Sequence, residues 1–293
     1  MALAAHCRHA GCHLSHGEVV DDGLRCALHH RVIDAEGAFL SSNGEETEAP
    51  RQKLLPVMEA FGCVFVFVGG SAPSTFYRPA IAETGAIVTR ALKPRYFDAP
   101  WSTLSANGMD IDHLQAVHDR APRETPRLEQ ISPGAIRLTY RNRVTGTHIS
   151  DRIMKWLADD CIHGKVTCVG GSMLVVETRV GKRETFILLS MSPSSRGGTW
   201  VRCLVGAPSA AGALLPRMTV RFSAWLFQSF LKKDFGVLEQ MKRRIPEMVV
   251  TSGDAFMQQL EAFFCAQPEA DETVASSRTP RVTWPTEAFL AEC

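Results

Sequence analysis

Cys7-Arg8-His9-Ala10-Gly11-Cys12-His13-Leu14-Ser15-His16-Gly17 stands near the start of the chain, and Cys26-Ala27-Leu28-His29-His30 follows closely behind. Reduced to its donors, the stretch reads C-x-H, sixteen residues, C-x-x-H. Each short motif offers one thiolate and one imidazole from a tight loop. The crowding is deliberate in composition too: three of the nine Cys and six of the ten His lie within the first 30 residues. An odd Cys count without a charged-then-apolar leader segment argues against a disulfide framework. Metal ligation is the remaining chemistry for such a cluster.

The pairing of unlike donors narrows the metal. Mononuclear zinc sites usually pair Cys with Cys and His with His at short spacings. A mixed pair in each loop suits a Rieske 2Fe-2S cluster, in which two Cys hold one iron and two His hold the other. Neutral imidazoles in place of two anionic thiolates destabilise the reduced cluster less, so the potential rises. The assignment is Cys7 and Cys26 on one iron, His9 and His29 on the other. A zinc-holding binding module with no redox role is the blander alternative.

Outward from this stretch, composition bounds the rest. The 293 residues (45% hydrophobic, 22% charged) suffice for two domains or one large one. Lys+Arg 32 against Asp+Glu 31 leaves a net charge of +1, with no basic stripe, which speaks against nucleic acid as a partner. No apolar run approaches the ~18 residues of a spanning helix, so a cytoplasmic protein without a membrane span is expected. Residues 1–70 read as short strands and loops punctuated by glycine, closing on the run Cys63-Val64-Phe65-Val66-Phe67-Val68. Ser71-Ala72-Pro73-Ser74 reads as a linker, giving domains at 1–72 and 73–293.

The second region begins with a strand near Ala86-Ile87-Val88-Thr89, and a helical segment is expected from Asn107 to His118. Ile136, Leu138 and Tyr140 alternate onto one strand face, and further strands are expected at 174–180, 185–191 and 200–206. Consecutive strands without intervening helices imply an antiparallel sheet. Phe222, Leu226, Phe230, Phe235 and Leu238 then recur at helical spacing to about Arg244, before Pro246. A last helix is expected over Ala255–Phe264, capped by Ser252, Gly253 or Asp254. The fold class is α+β: a small all-β module, then an antiparallel sheet with helices.

Within that second region, Asp110-x-x-His113-x4-His118 has the donors of an iron site built from two His and one carboxylate. On a regular helix His113 and His118 would lie about 140° apart, so both reach one ion only if the helix breaks between them. Taken alone, two His five residues apart more often belong to a surface or a core.

Together the two motifs resemble the catalytic component of the Rieske non-heme iron oxygenases. The resemblance extends to Leu14-Ser15-x-Gly17 and to the closing segment Leu55-Pro56-Val57-x-Glu59-x-Phe61-Gly62-x-Val64-Phe65-Val66-Phe67. It implies that His113 and His118 hold a mononuclear Fe(II), completed by Asp234 within Asp234-Phe235-Gly236-Val237-Leu238-Glu239. Glu239 and Asp254 are the competing carboxylates. It further implies that Asp110 hydrogen-bonds His29 of a neighbouring subunit in a head-to-tail homotrimer, carrying electrons between the two centres. Asn107 matches a family Asn near the iron, and equally suits the N-cap of the helix carrying His113.

Three departures stand out. Cys12 occupies the place of a disulfide Cys in respiratory-type Rieske proteins, but the second loop offers Leu28 there, which favours the oxygenase type. His30-Arg31 replaces the usual Gly-Trp-like pair, and six residues precede Cys7 where the family has several strands, so the Rieske domain reads as N-terminally shortened.

The implied activity is hydroxylation or oxidative demethylation of a hydrophobic, steroid-like or aromatic small molecule with O2. The single-component homotrimeric branch, with ketosteroid hydroxylases and aromatic O-demethylases, is the most similar. No nucleotide fingerprint occurs, so NAD(P)H would act only through a partner, a ferredoxin and/or flavin reductase. A Rieske electron carrier without oxygenase chemistry is the alternative, and an oxygenase that has lost its cluster is a third reading.

Overall fold

The computed structural model describes residues 1–41, 43–68, 77–83, 85–158, 161–194, 196–209, 214–239, 241 and 255–267. The chain divides into two compact units, one carrying residues 1–72 and the other residues 73–268. The linker read at 71–74, Pro246, and the capping positions 252–254 lie outside the described residues.

The first unit is built from short strands. β1 (Ala2–Leu3) pairs with β6 (Leu54–Leu55). Four strands, β2 (Glu18–Val20), β3 (Gly23–Arg25), β4 (Val32–Ile33) and β5 (Phe39–Leu40), form a meander. β7 (Val57–Ala60) and β8 (Cys63–Val66) close a hairpin over Phe61-Gly62, both at positive φ. The meander is drawn tight at Gly23 (φ +148), where an added Cβ would stand 2.0 Å from the Ile33 carbonyl oxygen. Its small core consists of Cys7, Leu14, Cys26, Ile33 and Phe39, so two of the predicted cluster donors belong to the packing itself.

The second unit centres on an antiparallel sheet, nine-stranded among the described residues. Its elements in chain order begin with β9 (Ile87–Ala91), β10 (Arg95–Phe97), α1 (Trp101–Asn107) and α2 (Ile111–Ala116). β11 (Arg120–Pro122), β12 (Arg127–Ser132), β13 (Ala135–Val144) and α3 (Ile149–Ala158) follow. β14 (Ile162–Val169), β15 (Met173–Val180), β16 (Arg183–Pro193) and β17 (Thr199–Pro208) then run as successive hairpins, before α4 (Leu214–Leu238) and α5 (Ala255–Cys265). The long strands lie in the order β17-β16-β15-β14-β13. Each outer edge is covered by two short strands, β10 and β9 on β17, β11 and β12 on β13. An edge divided between short partners leaves little unpaired backbone.

Two-residue alternation sends Ile136 and Leu138 of β13, Val166 and Cys168 of β14, and Ile187, Leu189 and Met191 of β16 into one core. Val220, Ala224 and Leu238 of α4 and Leu260, Phe263 and Phe264 of α5 complete it. Glycine makes room where a ring lies across a neighbouring strand. Tyr140 faces Gly164, and Phe186 faces Gly206. An added Cβ would stand 2.3 Å from the first ring and 2.2 Å from the second.

Three details differ from the sequence expectation. The segment 107–118 is not one continuous helix: α1 ends at Asn107, only Ile111–Ala116 within the segment is helical, and Asp110 rather than Asn107 caps it. The long C-terminal helix ends at Leu238, not near Arg244. β14 and α3 had no counterpart in the expectation, although Ile149, Ile153, Trp156 and Leu157 recur at helical spacing along α3 and were the signal available for it.

Candidate metal centres

In the first unit the two motifs form matching loops. The Cys7 carbonyl accepts from Gly11 N–H at 2.8 Å, and the Cys26 carbonyl accepts from His30 N–H at 2.9 Å. The residue that closes each turn has positive φ: Gly11 at 73° and His30 at 55°. His30 thus stands in a conformation that favours glycine.

The donors divide by burial. Cys7 and Cys26 are buried, while His9 and His29 are exposed. Backbone N–H groups of His9 and Ala10 point at the Cys7 sulfur, and those of Leu28 and His29 at the Cys26 sulfur. Burial pushes the Cys7 thiol up, against those N–H groups. Burial also opposes ionisation of Cys26, but the N–H groups and the Cys7 thiol outweigh it and hold Cys26 below its ordinary value. The Cys26 thiol interacts with the Cys7 thiol, and the rings of His9 and His29 lie 4.9 Å apart, edge to face. Two buried sulfurs backed by amides and two outward imidazoles fit a group with two chemically distinct iron atoms.

Sequence reading missed Gln52. This buried side chain accepts Arg8 N–H at 2.8 Å and donates to the Ala4 and His6 carbonyls at 3.0 and 2.9 Å. It ties down both sides of Cys7. A polar residue among turn residues carries no motif, so only the fold reveals its part.

The second centre assembles donors from three places. Asp110 caps α2, its Oδ1 accepting the His113 N–H at 3.0 Å. This sets His113 in the first turn. The helix ends at Ala116 and Val117, so His118 lies beyond it, where the chain turns through Asp119 at φ 55° into β11. The break between the two His is the one their spacing demanded. Arg120 fixes it by donating to the His118 carbonyl at 2.9 Å and to Asp151 Oδ1 at 3.0 Å. From α4, Lys233 donates to Asp119 Oδ2 at 2.8 Å, and the next residue, Asp234, enters the centre.

Asp234 Oδ1 lies 2.8 Å from Nε2 of both His113 and His118, and the two nitrogens are 3.1 Å apart. Among the described residues this is the group of His, Cys and carboxylate side chains whose donor atoms converge. Such a triangle is the spacing of three donors on one face around a single ion at about 2.1 Å from each. All three side chains are nearly sealed from solvent, at 9%, 1% and 5% exposure for His113, His118 and Asp234. Burial holds the His118 imidazole below its ordinary value, against the hydrogen bond it donates to Asp234. Burial works against the Asp234 carboxylate, but hydrogen bonds from both His prevail and lower it. Both shifts favour the deprotonated forms that bind metal.

Phe230, one helical turn before Asp234, stacks on the His118 ring at 3.4 Å and 7°. His118 Nδ1 is buried without a partner among the described residues, so the Phe230 ring stacked on the imidazole adds to Asp234 in orienting it. Of the competing carboxylates, Glu239 lies on the surface outside the triangle, and Asp254 lies outside the described residues. Asn107 and Gly108 line the adjoining cavity of about 670 Å³, whose walls are largely apolar, with Phe222, Leu226 and Phe227 from α4.

Residues 1–56 match the family model of the Rieske [2Fe-2S] domain. A toluene-4-sulfonate monooxygenase system iron-sulfur subunit of Comamonas testosteroni is 27% identical over 157 residues, covering 47% of this chain and 43% of that one. The oxygenase component of dicamba O-demethylase from Stenotrophomonas maltophilia is 24% identical over 275 residues, 83% of this chain and 77% of that one. The chain is a relative of the Rieske oxygenase components. The alignment spans less than half the length of the first of these relatives. The structure of dicamba monooxygenase bound to 3,6-dichlorosalicylic acid superposes with a TM-score of 0.63 at 17% identity, covering 90% of this chain and 86% of that one. Pseudomonas putida NdmA with caffeine gives 0.64 at 14% identity, covering 91% and 83%. These superpositions establish the shared fold. Cys12 has no thiol opposite it in the second loop other than Cys26 itself.

Proposed function

We propose that the chain is the oxygenase component of a Rieske system, hydroxylating or oxidatively demethylating a hydrophobic aromatic or steroid-like molecule with O2. The observation that carries this reading is the convergence of His113, His118 and Asp234 at an apolar cavity, in a chain whose first unit is a Rieske domain. Cys7, His9, Cys26 and His29 would hold the 2Fe-2S cluster, and the triangle a mononuclear Fe(II). When bound, an iron held by two His and one carboxylate supplies the oxygen-activating redox chemistry, with coordination positions left open.

The chain's own residues prepare that chemistry. Asp234 brings one negative charge against two neutral imidazoles, so a divalent ion is only partly neutralised. The apolar walls bind and orient a ring and exclude water. At about 670 Å³ the cavity lies within the range of small-molecule sites. The relatives' names favour compact rings, since one is an O-demethylase of dicamba and another is solved with caffeine.

Electrons would come from a separate ferredoxin or flavin reductase using NAD(P)H. In a head-to-tail homotrimer Asp110 would accept from His29 of the neighbouring subunit, its Oδ1 being committed to the cap of α2. The proposed setting is cytoplasmic; among the described residues no helix is long and apolar enough to cross a membrane.

Iron analysis and spectroscopy of anaerobically purified protein test this. The expected result is about three irons per chain, with the reduced-state paramagnetic signal of a 2Fe-2S cluster and product formation with a surrogate reductase. A carrier would hold about two, and its electron transfer would be indifferent to His113→Ala.

A further inference from the structure

The cavity beside the triangle carries a polar end that the metal centre does not use. On β13, two-residue alternation turns Ile136, Leu138, Tyr140, Asn142 and Val144 to one side. An amide therefore stands where the pattern calls for an apolar side chain. Asn142 is 1% exposed and lines the cavity, and neither Oδ1 nor Nδ2 has a partner among the described residues. With both ends unpartnered, the amide presents a donor and an acceptor in either orientation.

Asp151 of α3 lines the same cavity and is 3% exposed. Its Oδ1 accepts from Arg120 at 3.0 Å, while Oδ2 has no partner among the described residues. Buried polar atoms are rarely left unpaired, because each loses its hydrogen bonds to water without replacement. Asn142 and Asp151 both line this cavity and both carry atoms unpartnered among the described residues, which points to a ligand that completes them.

We propose that this end of the cavity binds the polar group of an uncharged substrate that both donates and accepts hydrogen bonds, a carboxamide or a hydroxyl. Asn142 Nδ2 donates to its oxygen, and Asn142 Oδ1 accepts its N–H or O–H. Beside Asn142 and Asp151 the local charge disfavours an anion, although Lys233 and Arg183 are further cations of the lining. The Arg120 guanidinium is already balanced by Asp151, and two of the three unpartnered atoms are acceptors, which a carboxylate would meet with repulsion. The assignment rests on the cavity being the substrate site of the proposed oxygenase.

The test is calorimetric titration of the anaerobic, iron-loaded protein with four probes: 4-methoxybenzamide, 4-methoxybenzyl alcohol, 4-methoxybenzoate and 4-methylanisole. The amide or the alcohol is expected to bind at least about tenfold more tightly than the benzoate and the methylanisole. Which of the two binds more tightly identifies the group. Asn142→Leu should shrink that advantage to within about threefold, and Asn142→Asp, which keeps the shape but loses the donor, should also reduce it. Tightest binding of the benzoate, no preference over methylanisole, or an advantage that survives Asn142→Leu would overturn the assignment. Should the Leu variant not fold, the wild-type ranking decides by itself. Binding is read without turnover: two irons per chain would sink the oxygenase reading and leave the ranking standing, whereas three irons without the ranking would sink this inference alone.

Discussion

The two proposed centres use similar donors and are built in opposite ways. In the first unit, each loop carries its Cys and His within a few residues and is closed by its own backbone, Gly11 N–H to Cys7 and His30 N–H to Cys26. In the second, His113 and His118 meet a carboxylate 121 and 116 residues further along the chain. The loops hold their imidazoles at the surface, whereas the triangle is sealed by α4 and by Phe230. Surface imidazoles suit exchange of electrons with another protein; a sealed triangle beside a cavity suits chemistry that water would spoil. A local site fails when its loop fails, and a distributed site fails when any one of three elements shifts.

The sharpest way to break that comparison is to remove one donor from each centre. Asp234→Ala should lower iron from about three to about two per chain and reduce turnover by more than about a hundredfold, with the cluster absorption unchanged. Elemental analysis beside the visible spectrum checks it, and loss of both signals together would show that the centres do not fold independently. Cys26→Ser is the converse. It should remove the cluster absorption and about two irons while the second centre keeps one.

Smaller changes separate donors from their supports. Gln52→Leu leaves every donor in place but strips three hydrogen bonds from the first loop. It should lower stability by about 1–3 kcal/mol in denaturant titration and speed loss of the cluster to a chelator, sparing the second centre. Lys233→Met breaks the pair with Asp119, which is partly exposed, with Lys233 and Asp119 side chains 30% and 41% accessible. A cost of at most about 1 kcal/mol is expected, with iron content unchanged. A large loss of iron in that variant would show that the turn after His118 is held by this pair rather than by Arg120.

Legibility in the sequence follows the same division. Cys7, His9, Cys26 and His29 announce themselves because loop ligation depends on spacing along the chain. The alternation at Ile136, Leu138 and Tyr140 and the hairpins after it were likewise visible, since a strand's period is a property of consecutive residues. Asn142 continues that same alternation, and a polar residue on the apolar face was the signal available for it. Gln52 gave none. α2 was misjudged because Asn107 and Asp110 are both good caps, and propensity does not say which one the chain uses.

By itself, then, the sequence determined the fold class, the cluster loops and the need for a break between His113 and His118, all consequences of spacing, period and covalent reach. The family resemblance already implied Asp234 as the carboxylate; only the tertiary structure decided how α4 brings it against those two His with Phe230 stacked above, and which buried polar atoms are left unpartnered among the described residues. Those outcomes depend on how distant elements pack, and packing is a balance of many small long-range contacts that no local pattern records.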